Sequence, residues 1–248
     1  MIDVQAALLH TVPRILYPFY DFVFSPICFH CGSRLPWGER FLCRQCWSAI
    51  PKIAPPDVLL SETRQKLGSD SCIVDVVSLF RFEKEGELQS LLHELKYGGK
   101  RGVGLLVGRL LGEKIKKMVS IENVLGCVPV PLHAAKLRER GYNQSELLCQ
   151  GIRDTSDLPV LRSLIRRVRH TNSQTSLNAT ERGSNVRGAF ALVPRHRTGL
   201  RRKIILLVDD VITTGATIRE CASVLKDAGV VNIVACCVAI AQSDPLTR

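Results

Sequence analysis

Residues 203–229 constrain the fold of this chain more tightly than any other stretch. They read Lys203-Ile-Ile-Leu-Leu-Val-Asp-Asp-Val-Ile-Thr-Thr-Gly-Ala-Thr217, followed by a segment of helical periodicity. Ile205 to Val208 is an unbroken apolar run, the pattern of a short buried strand. Two adjacent carboxylates, Asp209 and Asp210, stand where that strand is expected to end. Thr213 to Thr217 form a Thr/Gly loop, and Ile218, Cys221, Ala222 and Leu225 recur behind it at helical spacing. Thr217 and Glu220 have the spacing of a capping box, and Gly229 is placed to stop the helix.

The physics of a strand–acid–acid–loop–helix order points to a phosphorylated sugar. A loop that enters a helix N-terminus exposes unpaired N–H groups, and the helix dipole favours an anion there. Gly215 admits a phosphate without a Cβ in the way, while Thr213, Thr214 and Thr217 offer hydroxyl donors. Carboxylates one turn earlier would repel the phosphate, yet they suit the hydroxyls of a ribose or a shared Mg2+. The order also sets the site at the carboxyl end of a parallel strand, where open α/β sheets bind ligands. Over thirteen consecutive positions, residues 205–217, the segment resembles the phosphoribosyl-pyrophosphate (PRPP) motif of type I phosphoribosyltransferases. That resemblance implies ribose contacts from Asp209 and Asp210. It implies a 5′-phosphate cradle of Thr213, Thr214, Gly215, Ala216 and Thr217.

The front of the chain carries a separate signal. Cys28-x-x-Cys31 and Cys43-x-x-Cys46 are two knuckles separated by eleven residues, and Gly32 fits the reversal such a knuckle needs. Two knuckles complete a tetrahedral four-cysteine Zn2+ site of structural type, with no open position for catalysis. The span is too short for its own core, so metal would be its main source of stability. His30 lies between the first pair and is a possible substitute ligand. Disulfides fit poorly, because Cys72, Cys127, Cys149, Cys221, Cys236 and Cys237 sit in apolar runs as reduced, buried residues do, and no secretory signal is evident. A reducing, cytoplasmic compartment is the resulting expectation.

Between these ends, strand-like and helix-like segments alternate. Strands are expected at 73–82, 124–130, 204–208 and 232–240, and helices at 86–97, 105–119 and 142–152, with a hydrophobic content of 46% ample for a core. Such alternation predicts an α/β fold, a parallel sheet flanked by helices. Pro51, Pro55 and Pro56 mark a linker. The expected domains are therefore 1–56, an N-terminal helix with the zinc module, and 57–248, the α/β domain. The apolar stretch from Ala6 to Ile27 is interrupted by His10, Pro13, Arg14, Pro18 and Asp21. It reads as an amphipathic helix on the zinc module rather than a membrane span, though peripheral association with the inner membrane face stays open.

Charge is uneven. Over residues 133–203 fifteen Lys and Arg stand against five Asp and Glu, so nearly all of the net +11 lies in this band. A pyrophosphate ligand accounts for part of it. The remainder is either a solvated basic surface or an electrostatic footprint on nucleic acid, with Arg166, Arg167 and Arg169 the nucleic-acid candidates. Lys136, Arg138 and Arg140 lie on the expected strand-to-helix loop after residue 130. By resemblance to type I enzymes they are the pyrophosphate ligands. The polar stretch from Arg169 through Gln174 to Phe190 lacks periodicity, and is either a lid over the site or a surface hairpin.

Taken together, the four-cysteine module, Leu95-Lys-Tyr97-Gly-Gly, Val128-Pro-Val-Pro131, Arg138-Glu-Arg-Gly-Tyr-Asn-Gln144, Arg169-x-Thr171-x-x-Gln174-x-x-Leu177 and the PRPP motif resemble the ComF family over essentially the whole chain. This family is also described as GntX-type or amidophosphoribosyltransferase-like. The resemblance implies a zinc-finger protein on a type I phosphoribosyltransferase fold, using PRPP with Mg2+, linked to natural transformation and DNA uptake. Single-stranded DNA and competence or DNA-processing proteins are the implied partners. Three readings compete: a transferase with an unknown acceptor, a DNA-binding competence factor, and a PRPP sensor without catalysis. Thr213 stands where some type I enzymes place a catalytic carboxylate, so that position supplies no base.

Overall fold

Apolar runs that do not alternate need cover on both faces, and here they form the strands of one parallel sheet. In this computed structural model the described residues are 26–69, 71–169, 186–193 and 203–242. The stretch up to residue 25, and Gln174 with the centre of the expected lid, lie outside them. The elements run α1 (Arg44–Ala49), α2 (Val58–Gly68), β1 (Ile73–Phe82), α3 (Glu87–Lys96), α4 (Arg101–Met118), β2 (Val124–Pro129), α5 (Ala134–Arg140), α6 (Gln144–Ser156), β3 (Ile165–Arg167), β4 (Phe190–Leu192), β5 (Ile204–Ile212), α7 (Ala216–Asp227) and β6 (Asn232–Ala241).

The main sheet has the order β1-β6-β5-β2, with every neighbouring pair parallel. Successive residues of β5 and β6 point to opposite sides. Leu206, Val208, Val234 and Cys236 join one apolar cluster with α3, α4 and α6. Ile205, Leu207, Ile233 and Ala235 join the other, with α2, α7 and the antiparallel β3–β4 pair. The result is a three-layer α/β/α arrangement, as the sequence pattern predicts.

Both sheet edges are covered by short extended segments. Beside β2, the Cys127 N–H donates to Pro159 and the Leu161 N–H to Cys127. Beside β1, the Ile53 N–H donates to Leu79 and the Arg81 N–H to Pro51, each at 2.9 Å. The expected Pro51–Pro56 linker is therefore partly an edge segment of the sheet. Asp57 then anchors the start of α2 to β1. Its carboxylate accepts from the Leu60 N–H in the first turn of α2 and from two nitrogens of Arg81, at 2.8 and 3.2 Å. Burial works against that charge, but the Leu60 N–H and Arg81 outweigh it and hold the carboxyl below its usual range.

One helix boundary departs from the periodicity. α4 begins at Arg101, four residues before the expected start, because Gly102 and Gly104 pack inside the helix against Phe41 and Leu147 rather than making a turn. A Cβ at Gly108 would meet the Leu148 carbonyl at 2.4 Å, and one at Gly151 would meet the Leu105 carbonyl at 2.4 Å. Two backbones this close admit no side chain, so the α4–α6 seam depends on those two positions.

The six cysteines of the apolar runs are all free and buried, as expected. Among the described residues no helix is long and apolar enough to cross a membrane.

Candidate functional site

β2 stops at Pro129, opposite Val208, while β5 and β6 continue upward in register to Ile212 and Ile240. Asp209 and Asp210 therefore lie inside β5 rather than at its end, on the part that rises past β2. The chain leaving β2 leads to α6 on one face of the sheet, and the chain leaving β5 leads to α7 on the other. Connections that diverge in this way open a crevice at the carboxyl ends of two parallel strands. The acid pair sits in it.

A short chain of hydrogen bonds fixes the β2 side of the crevice. The Val130 N–H donates to Val208, and the Asn143 amide donates to the Val130 carbonyl at 3.0 Å. Asn143 in turn caps α6 by accepting from the Ser145 N–H, and the Ser145 hydroxyl donates to Asp209 Oδ1 at 3.3 Å. From the far edge of the sheet Lys96, the last residue of α3, reaches over to place Nζ 2.5 Å from Asp210 Oδ2. The two carboxyls are thereby made unequal. Burial, and then the neighbouring Asp210, push Asp209 up to about 7. Burial opposes ionisation of Asp210 too, but the Lys96 charge, its hydrogen bond and the Val211 N–H hold that group below the ordinary carboxylate range. Sequence reasoning does not single out Lys96 or Ser145 as site residues. A signal for Lys96 exists in the Leu95-Lys-Tyr97-Gly-Gly motif, but its target is more than a hundred residues away.

The loop after β5 departs from the predicted capping box. α7 begins at Ala216 behind Gly215, which has φ +74°, and no side chain of this cap residue bonds to the first turn. Thr217 lies inside the helix, and Glu220 turns away to accept from the Gly188 N–H at 2.6 Å. Thr214 Oγ1 accepts a long 3.4 Å bond from the Ala216 N–H. A Cβ at Gly215 would strain the backbone and strike Leu67 at 2.5 Å, with an Arg219 guanidinium nitrogen 3.5 Å away. Thr213 is exposed and Thr214 half-buried, so the loop presents hydroxyls beside the start of α7.

The cations sort by helix and strand period. Lys136, Arg138 and Arg140 lie on the short helix α5, not on an open loop. Lys136 and Arg140, one turn apart, are half-buried, while Arg138 is exposed on another face. Arg140 donates to Gln144 at 2.5 Å and lies over the exposed Tyr97 ring at 5.2 Å. Burial, then the charges of Arg167 and Arg140, lower the pKa of Lys136; Glu139 acts in the opposite direction and Lys96 adds a smaller lowering. Arg167 was expected on a nucleic-acid face with Arg166 and Arg169. Strand alternation in β3 separates them: Arg166 is exposed, whereas Arg167 is half-buried, lies over the Phe190 ring at 5.3 Å and is within electrostatic reach of Asp209. Arg169 is exposed and donates to the Arg187 carbonyl at 2.8 Å. Beside Arg167 an open groove of about 370 Å³ runs between α5 and β3, with Leu137 and Ile165 on its walls and Arg162 and Arg166 on its rim.

At the other end of the chain, the sulfurs of Cys28, Cys31, Cys43 and Cys46 all lie within 4.8 Å of one another. A Zn–S bond of about 2.3 Å puts the corners of a tetrahedron about 3.8 Å apart, and Cys31 Sγ is 3.8 Å from Cys43 Sγ. Backbone N–H groups of Cys43 and Cys46 point at the sulfurs of Cys28 and Cys43, at 3.4 and 3.5 Å, as donors to thiolates do. The four residues fit one tetrahedral metal ion. His30 is directed elsewhere, toward Ser90 and Glu87 of α3. Cys28, Leu35, Leu42, Cys46 and Ile50 belong to the same apolar cluster as α3 and α4, so the module is seated on the helix that carries Lys96.

Comparison with known proteins agrees with this arrangement. Residues 134–246 match the family described as the phosphoribosyl transferase domain. Competence protein F of Haemophilus influenzae is 31% identical over 209 residues, covering 84% of this chain and 82% of that one. DNA utilization protein YhgH of Escherichia coli K12 is 27% identical over 220 residues, 85% of this chain and 95% of its own. Competence protein ComFC of Bacillus subtilis is 25% identical over 203 residues, 82% and 72% of the two chains. A solved structure of the allosteric regulatory enzyme of purine biosynthesis matches at TM-score 0.36 and 16% identity over 58% of this chain and 29% of its own, too slight a likeness to argue from. The sheet, its crevice and the cysteine module thus define a phosphoribosyltransferase-fold protein with an N-terminal metal-site module. The chain belongs to the ComF family of competence and DNA-utilization proteins.

Proposed function

We propose that the crevice binds PRPP with Mg2+ and that the chain uses it in phosphoribosyl transfer. The observation that carries this reading is the placement, on one strand and the turn after it, of a buried acid pair held by Lys96 and a Thr/Gly loop entering a helix. Asp209 and Asp210 take the ribose hydroxyls, and Thr213, Thr214, Gly215, Ala216 and Thr217 cradle the 5′-phosphate. Lys136 and Arg140, joined by Lys96 and Arg167, face the pyrophosphate; Arg138, on another face of α5, is not among them. In the transfer, the bond from ribose C1 to the pyrophosphate oxygen breaks as a bond from C1 to an acceptor nitrogen forms, and pyrophosphate leaves with its negative charge met by these cations. Mg2+ bound to PRPP would supply further neutralisation of the leaving group. Thr213 offers no base, so the acceptor is one that arrives already deprotonated. Zn2+ fills the four-cysteine cluster as a structural ion. The division into 1–56 and 57–248 remains our domain proposal, and the reduced cysteines favour a cytoplasmic setting.

The test is pyrophosphate release from Mg-PRPP across a panel of acidic heterocyclic nitrogen nucleophiles. Release with at least one acceptor, abolished by Asp210→Ala, is the expected result. PRPP binding without release to any acceptor would favour a sensor over a transferase.

A second reading is favoured by the relatives named for competence and DNA utilization and by the exposed arginines next to the crevice: the chain also handles single-stranded DNA during uptake, beside other DNA-processing proteins. Counterion release then makes affinity fall steeply with salt. Arg166→Ala/Arg169→Ala should weaken DNA binding several-fold and leave PRPP affinity unchanged, because neither side chain faces the acid pair. Unaltered DNA affinity in that double variant would remove the footprint.

A further inference from the structure

Lys96 is seated on a carboxylate of the acid pair. Its Nζ lies 2.5 Å from Asp210 Oδ2, and the Asp210 side chain is only 9% exposed. Asp209 is tied to Ser145 on the opposite side. The charged groups that meet here come from four elements: Lys96 from α3, Lys136 and Arg140 from α5, Arg167 from β3, and the two acids from β5. A divalent cation approaching this pair alone meets an ammonium already in contact with Asp210 and the Arg167 guanidinium within electrostatic reach of Asp209. A polyphosphate alters that balance, because its oxygens offer Lys96 a second partner.

We infer that Lys96 makes capture of a divalent cation at the acid pair conditional on the phosphates of the ligand, by exchanging Asp210 for the diphosphate when both arrive together. This rests on the reading of the crevice as a PRPP site. In the empty protein Lys96 neutralises Asp210 and excludes a free metal ion. When a metal–diphosphate complex enters, the lysine moves its charge to the phosphate oxygens and Asp210 is released to the metal or to its bound water. No covalent bond changes and the total charge is conserved. Cation and sugar diphosphate therefore bind with positive coupling, which Lys96 supplies in both halves of the exchange.

Mn2+, detected by its electron paramagnetic resonance signal, serves as the probe in the full-length protein with its cysteine site loaded. The wild type is expected to take up no Mn2+ at the acid pair alone, and to bind it at least about tenfold more tightly once PRPP is present. Lys96→Met, which keeps most of the side-chain stem, should acquire Mn2+ binding without PRPP, and Asp210→Asn in the same background should remove it. Lys96→Arg, which keeps the charge, should exclude free Mn2+ as the wild type does and controls for a folding defect in the methionine variant. The inference is overturned if the wild type takes up Mn2+ at the acid pair without PRPP, if Lys96→Met gains no Mn2+, or if Lys96→Arg gains as much as Lys96→Met. The gain in Lys96→Met is read without PRPP, so a protein that never binds PRPP would defeat the site reading and leave this measurement to judge the lysine by itself.

Discussion

Stripping the metal from the purified protein with a strong chelator unfolds residues 26–50 while the parallel sheet stays folded; this is the largest structural effect expected. The module holds a single six-residue helix, α1, and beyond one isolated bridge between Ile27 and Arg34 its remaining backbone is turn and loop. Its apolar contribution is a handful of side chains, among them Leu35, Leu42 and Ile50, lent to a cluster centred elsewhere. Four sulfurs within 4.8 Å of one another have no cation between them once the metal is gone. Metal binding in such small modules is worth on the order of 10 kcal/mol, most of which is folding free energy. Elemental analysis should return about one zinc per chain. Hydrogen exchange should then show protection lost over 26–50 on chelation and retained in β5 and β6. Metal-free protein with full protection in the module would contradict this.

What the sequence disclosed, and what it withheld, divides along locality. The strand of Ile205 to Val208, the acid pair and the Thr/Gly loop are contiguous, and contiguity is what periodicity and spacing read well. The same holds for the two Cys-x-x-Cys knuckles, whose four sulfurs converge as the spacing predicts. Lys96 and Ser145 were out of reach because their relation to Asp210 and Asp209 is created by strand order. β6 stands between β1 and β5, and only that arrangement brings the end of α3 over the acid pair. The basic groups divide for a different reason. Lys136, Arg138 and Arg140 form one cluster by sequence but two faces on α5, and the helical period decides which of them see the crevice. Arg166 and Arg167 are likewise parted by the two-residue period of β3, which sends one outward and the other toward Asp209. The capping-box spacing misleads for a chemical reason: Glu220 is engaged by the Gly188 N–H, and α7 starts earlier, behind Gly215.

The largest functional effect is expected from removing both carboxylates. Each accepts hydrogen bonds in a buried crevice, and a buried bond to a charged group is worth about 1.5–3 kcal/mol. Losing two sets of ribose contacts should therefore weaken PRPP binding by roughly 10²- to 10⁴-fold. Lys96, left without Asp210, would also be free to hold the diphosphate, so weak binding is expected to persist in the double variant. Thermal melts alongside the titration separate loss of the site from loss of the fold.

Calorimetric titration of the protein with PRPP and Mg2+, beside Asp209→Ala/Asp210→Ala, is the most direct measurement of whether this crevice is a PRPP site. Saturable binding near one equivalent in the wild type, reduced at least about a hundredfold in a variant that still melts cooperatively, is the predicted result. Absence of binding in the wild type, or equal affinity in the two proteins, would contradict it.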